Sequence, residues 1–193
     1  MYKKYTKRIL DIIISFTLIA LLTPLYILVA ISIKLIDRNK IFFTQTRTGL
    51  NGHEFKIFKF RTMKNGKVTK LGQFLRNTSI DEIPQFFNVL KGDMSLVGPR
   101  PWVPDYYNNF NEIQKNRVHV NPGLVGLAQV NGRKEINIFQ KIKLDLNYVE
   151  NVNFLFDLKI IIKSLKIIVK KENIVNVNNY MYQEIKALEE QKN

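Results

Sequence analysis

The stretch from Ile12 to Ile33 constrains this chain more than any other. Its 22 residues are apolar except for Ser15, Thr17, Ser32 and a Thr23-Pro24 pair near the middle. As an unbroken helix it would rise about 33 Å, enough to cross a hydrocarbon core of roughly 30 Å. Pro24 has no N–H to offer the carbonyl of Ala20, and its ring presses on that turn, so a kink is expected there. Both flanks are basic: Lys3, Lys4, Lys7 and Arg8 precede the stretch, and Lys34, Arg38 and Lys40 follow it. A span with one cytoplasmic end concentrates positive charge on that side. Equal basic flanks suit a segment that enters a membrane, turns at Thr23-Pro24 and leaves by the same face. The Thr23 hydroxyl can bond a carbonyl of the preceding turn and ease the break. A kinked single-pass anchor is the alternative these residues leave open.

Beyond that stretch about 155 residues remain, a length that suits one domain with its own core. Thirty Lys and Arg against 16 Asp and Glu give a net charge of +14, so the partner surface is anionic. With a membrane segment beside that charge, phospholipid and phosphate-bearing substrates are favoured and no nucleic-acid partner is expected. There is no cysteine, hence no disulfide framework and no thiolate metal site. The two histidines, His53 and His119, do not make a zinc site.

Ile41-Phe42-Phe43 reads as a short strand, turned by Gly49 and Asn51-Gly52. Phe55 to Met63 reads as a second strand, with Phe55, Ile57, Lys59 and Arg61 on one face. From Phe55 to Arg76 there are seven Lys or Arg and no acid, the composition of a wall facing phosphate or of a solvated face. Ser79-Ile80-Asp81-Glu82 has the form of a capping box, which predicts a helix running to about Leu90. Pro84 complicates that helix just past its first turn. Val97-Gly98-Pro99-Arg100-Pro101 predicts a stiff loop presenting one guanidinium. Helices are expected over Asp105 to Arg117 and Asn137 to Val149. Phe154 to Lys171 places Lys159, Lys163, Lys166 and Lys170 on one face with isoleucines around them, which predicts a helix lying in a membrane interface or an ordinary core helix with a solvated face. The segment from Glu172 on reads as a polar tail.

Asp81-Glu82 is an adjacent acidic pair in a basic setting. Neighbours on a helix diverge by about 100°, so the two carboxylates suit different tasks. Asp93, after Gly92, reads as a turn residue. Trp102 and Tyr106-Tyr107 suit either headgroup level or core packing.

The ordered motifs Lys59-Phe60-Arg61-Thr62-Met63, Arg76, Ser79 to Gln85, Asn88 to Ser95, Val97 to Pro101, Pro122-Gly123 and Gln129 to Arg133 resemble the bacterial sugar transferases. More closely, they resemble the small monotopic polyprenyl-phosphate phosphoglycosyl transferases. The resemblance covers about Lys3 to Lys171, and Thr23-Pro24 stands where that family carries a Ser-Pro break. It implies a transfer of sugar-1-phosphate from a UDP-sugar to an undecaprenyl-type phosphate with release of UMP. The implied route is ping-pong, through a sugar phosphate carried on Asp81. Glu82 would be its helper, and both acids would be Mg²⁺ contacts. Arg76 and Arg100 would clamp phosphate, joined by Lys59 and Arg61. Arg133 would contact the nucleotide, and Asp145 would orient active-site cations. The implied location is the cytoplasmic face of the bacterial inner membrane, among lipids of that leaflet, with a homodimer left open. The segment from Met63 to Leu71 is shorter than in many relatives, and the tail has no counterpart among them.

The expected architecture is α+β: a re-entrant helix over residues 1–36, a catalytic domain over 37–171 with a small strand element and interfacial amphipathic helices, and a tail over 172–193. A competing reading is a non-catalytic, membrane-anchored adaptor whose basic face binds anionic lipid or nucleic acid.

Overall fold

The computed structural model describes residues 2–132, 136–170 and 180–192. Mixed helix and sheet are found, as expected. The chain opens with α1 (Lys7–Ser32), flanked by π-helical turns at Tyr2–Thr6 and Ile33–Asp37. Helical structure continues through Pro24 without interruption, so the expected break is not a gap in the helix. The Thr23 hydroxyl donates to the Ile19 carbonyl at 2.8 Å, the back-bond to the preceding turn that the sequence predicts. Much of α1 is exposed, with Phe16, Leu21 and Leu28 each more than 60% accessible. By length and composition it can cross or enter a bilayer.

Both limbs of α1 are nevertheless anchored. Arg8 donates to the carbonyls of Val89 and Leu90 at 2.5 and 2.7 Å, and Asp11 accepts from the Leu96 amide at 3.0 Å. Lys7 and the Tyr2 hydroxyl both reach Asp157. At the other limb Tyr26 donates to the Ile83 carbonyl at 2.7 Å, while Val29 and Ile33 pack on Phe60 and Leu75.

Next comes an antiparallel hairpin of β1 (Phe42–Thr48) and β2 (Glu54–Phe60), in a register that sets Phe43 opposite Lys59 and Arg47 opposite Phe55. Both strands differ from the expected bounds. β1 runs past Phe43 because β-branched threonines recur at every second position to Thr48, and β2 stops at Phe60. A separate two-residue pair follows, β3 (Met63–Lys64) with β4 (Lys67–Val68). Then α2 (Lys70–Asn77) begins, capped by the Thr69 side chain. A side-chain carbon at Gly72 would lie 2.1 Å from the Thr62 carbonyl oxygen, so glycine lets α2 lie directly on that backbone.

The predicted capping box at Ser79 does not form. Ser79 adopts φ 57° and makes no cap; Ile80–Glu82 is a single 3₁₀ turn, and α3 (Gln85–Lys91) begins only after Pro84. The missing N–H and fixed φ of proline suit a helix start rather than its second turn, and that displaces the whole helix.

A parallel pair, β5 (Ser95–Val97) and β6 (Gly123–Val125), closes around Gly98 and Gly123, whose backbones touch with no room for a side chain. The helix expected over Asp105 to Arg117 is two short ones, α4 (Pro104–Asn108) and α5 (Glu112–Lys115), because Asn111 starts afresh with its own capping box. After α6 (Leu127–Val130) comes α7 (Ile138–Glu150), close to its expected bounds and capped by Asn137. In α8 (Phe154–Lys170), Asp157, Ile160 and Ser164 face inward, whereas Phe154, Leu155, Leu158, Ile162 and Leu165 are exposed beside the lysines. The polar tail contains α9 (Tyr180–Lys192), which buries Leu188 among Tyr106, Phe110, Ile138 and Ile142.

Candidate active site

The 3₁₀ turn that replaces the expected helix start determines the site. It puts Asp81 and Glu82 at a bend between α2 and α3, against β2 and the loop after β5. Glu82 Oε1 receives hydrogen bonds from Lys59 Nζ at 2.6 Å and from Arg100 at 3.0 Å. Burial works against ionising Glu82, but the Arg100 and Lys59 charges outweigh it and hold this carboxyl well below the usual range. Its role is to fix two cations in place.

Asp81 is 8% exposed, and among the described residues nothing donates a hydrogen bond to it. Burial pushes its carboxyl up, and the Glu82 charge adds to that. Lys59, Arg76 and Arg100 pull it down, and it settles at about 6. One carboxylate is thus engaged and permanently charged, and its neighbour is unengaged and poised near neutrality.

Arg76 stands on the last turn of α2, where its Nε donates to the Thr62 hydroxyl at 2.8 Å. The close approach allowed by Gly72 makes that contact possible. Arg100 sits between Pro99 and Pro101 in the loop after β5, as the sequence predicts.

The structure therefore brings together Asp81, Glu82, Lys59, Arg76 and Arg100. Arg61 is engaged at the end of the hairpin, donating to the Phe42 carbonyl at 3.2 Å with its guanidinium 5.8 Å from the centre of the Phe43 ring, while its Nε is buried without a partner. Asp145 lies behind the site and pairs with Arg117 through bonds of 2.6 and 3.1 Å. Arg117 in turn donates to the Arg100 carbonyl at 2.8 Å and lies 4.1 Å over the Trp102 ring. Trp102 belongs to packing, and Asp93 accepts from Asn88 in the turn after α3. Arg133 lies outside the described residues.

Two residues of this neighbourhood were missed in the sequence, Arg117 and Arg47. Arg117 follows a helical stretch with no motif of its own, and only the fold carries it to Asp145.

For a divalent cation, the described residues contain no cluster of three or more acid or histidine ligands. The donor set is Asp81 plus the oxygen of Glu82 that Lys59 and Arg100 do not use. That set fits Mg²⁺, which is bound through one or two carboxylates and completes its shell with water and phosphate oxygens.

Comparison with known proteins identifies the family. The bacterial sugar transferase family matches residues 2–171. The chain is 38% identical to the uncharacterized sugar transferase EpsL of Bacillus subtilis, over 90% of this chain and 92% of that one. It is 39% identical to a UDP-glucose:undecaprenyl-phosphate glucose-1-phosphate transferase of Caulobacter vibrioides, over 86% of this chain and 71% of the relative. A transferase of the same description from Klebsiella pneumoniae is 40% identical over 80% of this chain, which spans only 38% of that longer protein. The residues at the Asp81 bend, the hairpin and the Arg100 loop all fall within the matched region, and the chain belongs to the bacterial sugar transferase family.

Proposed function

We propose that this protein transfers a hexose-1-phosphate from a UDP-sugar to a polyprenyl phosphate, in two steps through a covalent phosphosugar on Asp81. The observation that carries this reading is Asp81 itself: a buried carboxylate without a hydrogen-bond partner among the described residues, ringed by Lys59, Arg76 and Arg100. Phosphoryl transfer is catalysed chiefly by positioning and by neutralising charge on the transferring group. In the first step an Asp81 oxygen bonds to the sugar-linked phosphorus, the bond from that phosphorus to the bridging oxygen breaks, and UMP leaves with the electron pair. In the second, the lipid phosphate attacks the same phosphorus and Asp81 departs as carboxylate. Arg76 and Arg100 hold phosphate oxygens, and Lys59 is kept in range by Glu82. A Mg²⁺ held by Asp81 and Glu82 would add neutralising charge on the phosphates.

Membrane re-entry fits the anchoring of α1. Its two limbs rest on the same domain: Arg8 bonds the carbonyls of Val89 and Leu90, Tyr26 bonds that of Ile83, and Val29 and Ile33 pack on Phe60 and Leu75. The exposed middle of the helix then dips into one leaflet. The outward apolar face of α8 and its lysines then rest at the headgroups. With basic flanks on both limbs, the cytoplasmic leaflet is the face proposed. UMP release from UDP-glucose, with undecaprenyl phosphate in nanodiscs, tests the reading. Release by the wild type and loss in Asp81→Asn support it, and equal rates from the two proteins overturn it.

A further inference from the structure

The hairpin carries one more guanidinium that the reaction as derived does not use. Phe43, Gln45 and Arg47 alternate onto one face of β1, and the register places Lys59 on that same face opposite Phe43. Arg47 is held but incompletely satisfied. Its Nη2 donates to Gln45 Oε1 at 2.6 Å and its Nη1 to the Pro101 carbonyl at 3.4 Å, whereas its Nε is buried with no partner. Burial and the neighbouring Arg100 push its pKa down to about 10. The carboxylate that counters it is Glu82, which already serves Lys59 and Arg100. Arg47 thus draws on a negative charge that Lys59 and Arg100 already hold by hydrogen bonds, and an incoming anion relieves that.

Position says which anion. The Phe60 end of the hairpin packs on Val29 and Ile33 of the apolar helix, so Lys59 marks the end nearest the membrane. Arg47 lies four residues beyond Phe43, about 13 Å further along the strand and away from the Val29–Ile33 limb of α1 that packs on Phe60. A lipid phosphate comes from the membrane end, and a soluble nucleotide comes from the other.

We propose that Arg47, beside Arg100, is the phosphate contact for the nucleotide half of the donor, the UMP phosphate. This rests on the transferase reading. When the bridging P–O bond breaks, the electron pair passes to that phosphate, which leaves with an added negative charge. A guanidinium fork there stabilises the leaving group and not the attacking one.

The test compares UMP with uridine for binding to the full chain in nanodiscs, and it needs no turnover. The wild type is expected to prefer UMP. In Arg47→Gln that preference should shrink about tenfold, the loss of a hydrogen bond to a charged group, with uridine affinity unchanged and with partial rescue in Arg47→Lys. An unaltered preference overturns the proposal, and so does equal weakening of both ligands, which marks a structural role. A raised KM for polyprenyl phosphate with UMP preference intact moves Arg47 to the lipid side and overturns it as well. If the wild type releases no UMP from any UDP-sugar, the transferase reading fails, while the UMP and uridine comparison still reports on Arg47.

Discussion

Arg100 belongs to two charged clusters at once, and they are built differently. Around its side chain, Lys59 and Glu82 remain partly accessible, at 16% and 22%, and Asp81 has no hydrogen-bond donor among the described residues. Around its carbonyl, Arg117 and Asp145 are sealed, at 3% and 2%, and Arg117 is committed to Asp145, to that carbonyl and to the Trp102 ring. The first cluster keeps charge available for a ligand. The second spends its charge on holding the Pro99-Arg100-Pro101 loop. Residues of one type thus do opposite work, and solvent access tells them apart.

The contrast can be broken from either side. Asp81→Asn should lower kcat by roughly 10³-fold or more while leaving the thermal midpoint unchanged or higher, because a neutral side chain suits that buried position better. Thermal melting alongside UMP release checks both halves. Asp145→Ala should do the reverse in emphasis. It strands Arg117 without its counter-ion and should cost about 3–5 kcal/mol of stability, read as a lowered melting midpoint in nanodiscs. Glu82→Gln removes the anion shared by Lys59 and Arg100. It should slow UMP release about 10–100-fold and lower the Asp81 pKa, since the Glu82 charge helps to raise it.

The pH profile is the smallest effect. With Asp81 near 6 in the folded protein, the rate of UMP release should fall about tenfold per pH unit below that value as the nucleophile is protonated. The stability effect has the opposite sign. A carboxyl with a raised folded pKa is harder to ionise in the fold, so stability is lost as pH climbs from about 4 through about 6 and then levels off. Asp81→Asn should remove that component, and melting midpoints between these pH values would show it.

Where local chemistry decides, the sequence is a good guide. Asn137 caps α7, Pro99 and Pro101 stiffen the Arg100 loop, and Thr23 bonds back to the preceding turn. It misleads where two local rules compete. Ser79 and Glu82 have the spacing of a capping box, but Pro84 starts the helix after itself, and the acids end in a 3₁₀ turn that frees Asp81. Tertiary placement is not legible at all. Nothing local to Arg117 or Arg47 marks them, since their meaning comes from Asp145, 28 residues away, and from a loop that lies 54 residues beyond Arg47. Arg61 shows the converse. It shares a motif with Lys59, yet at the strand's end it turns to the hairpin.

The central claim is that Asp81 carries the sugar phosphate. Intact-mass measurement of the protein mixed with a UDP-sugar and Mg²⁺, with no lipid phosphate present, tests it most directly. The account predicts a hexose-phosphate adduct on the wild type, localised to the peptide containing Asp81, discharged on adding polyprenyl phosphate and missing from Asp81→Asn. Turnover by the wild type with no such adduct, or the same adduct on Asp81→Asn, would contradict it.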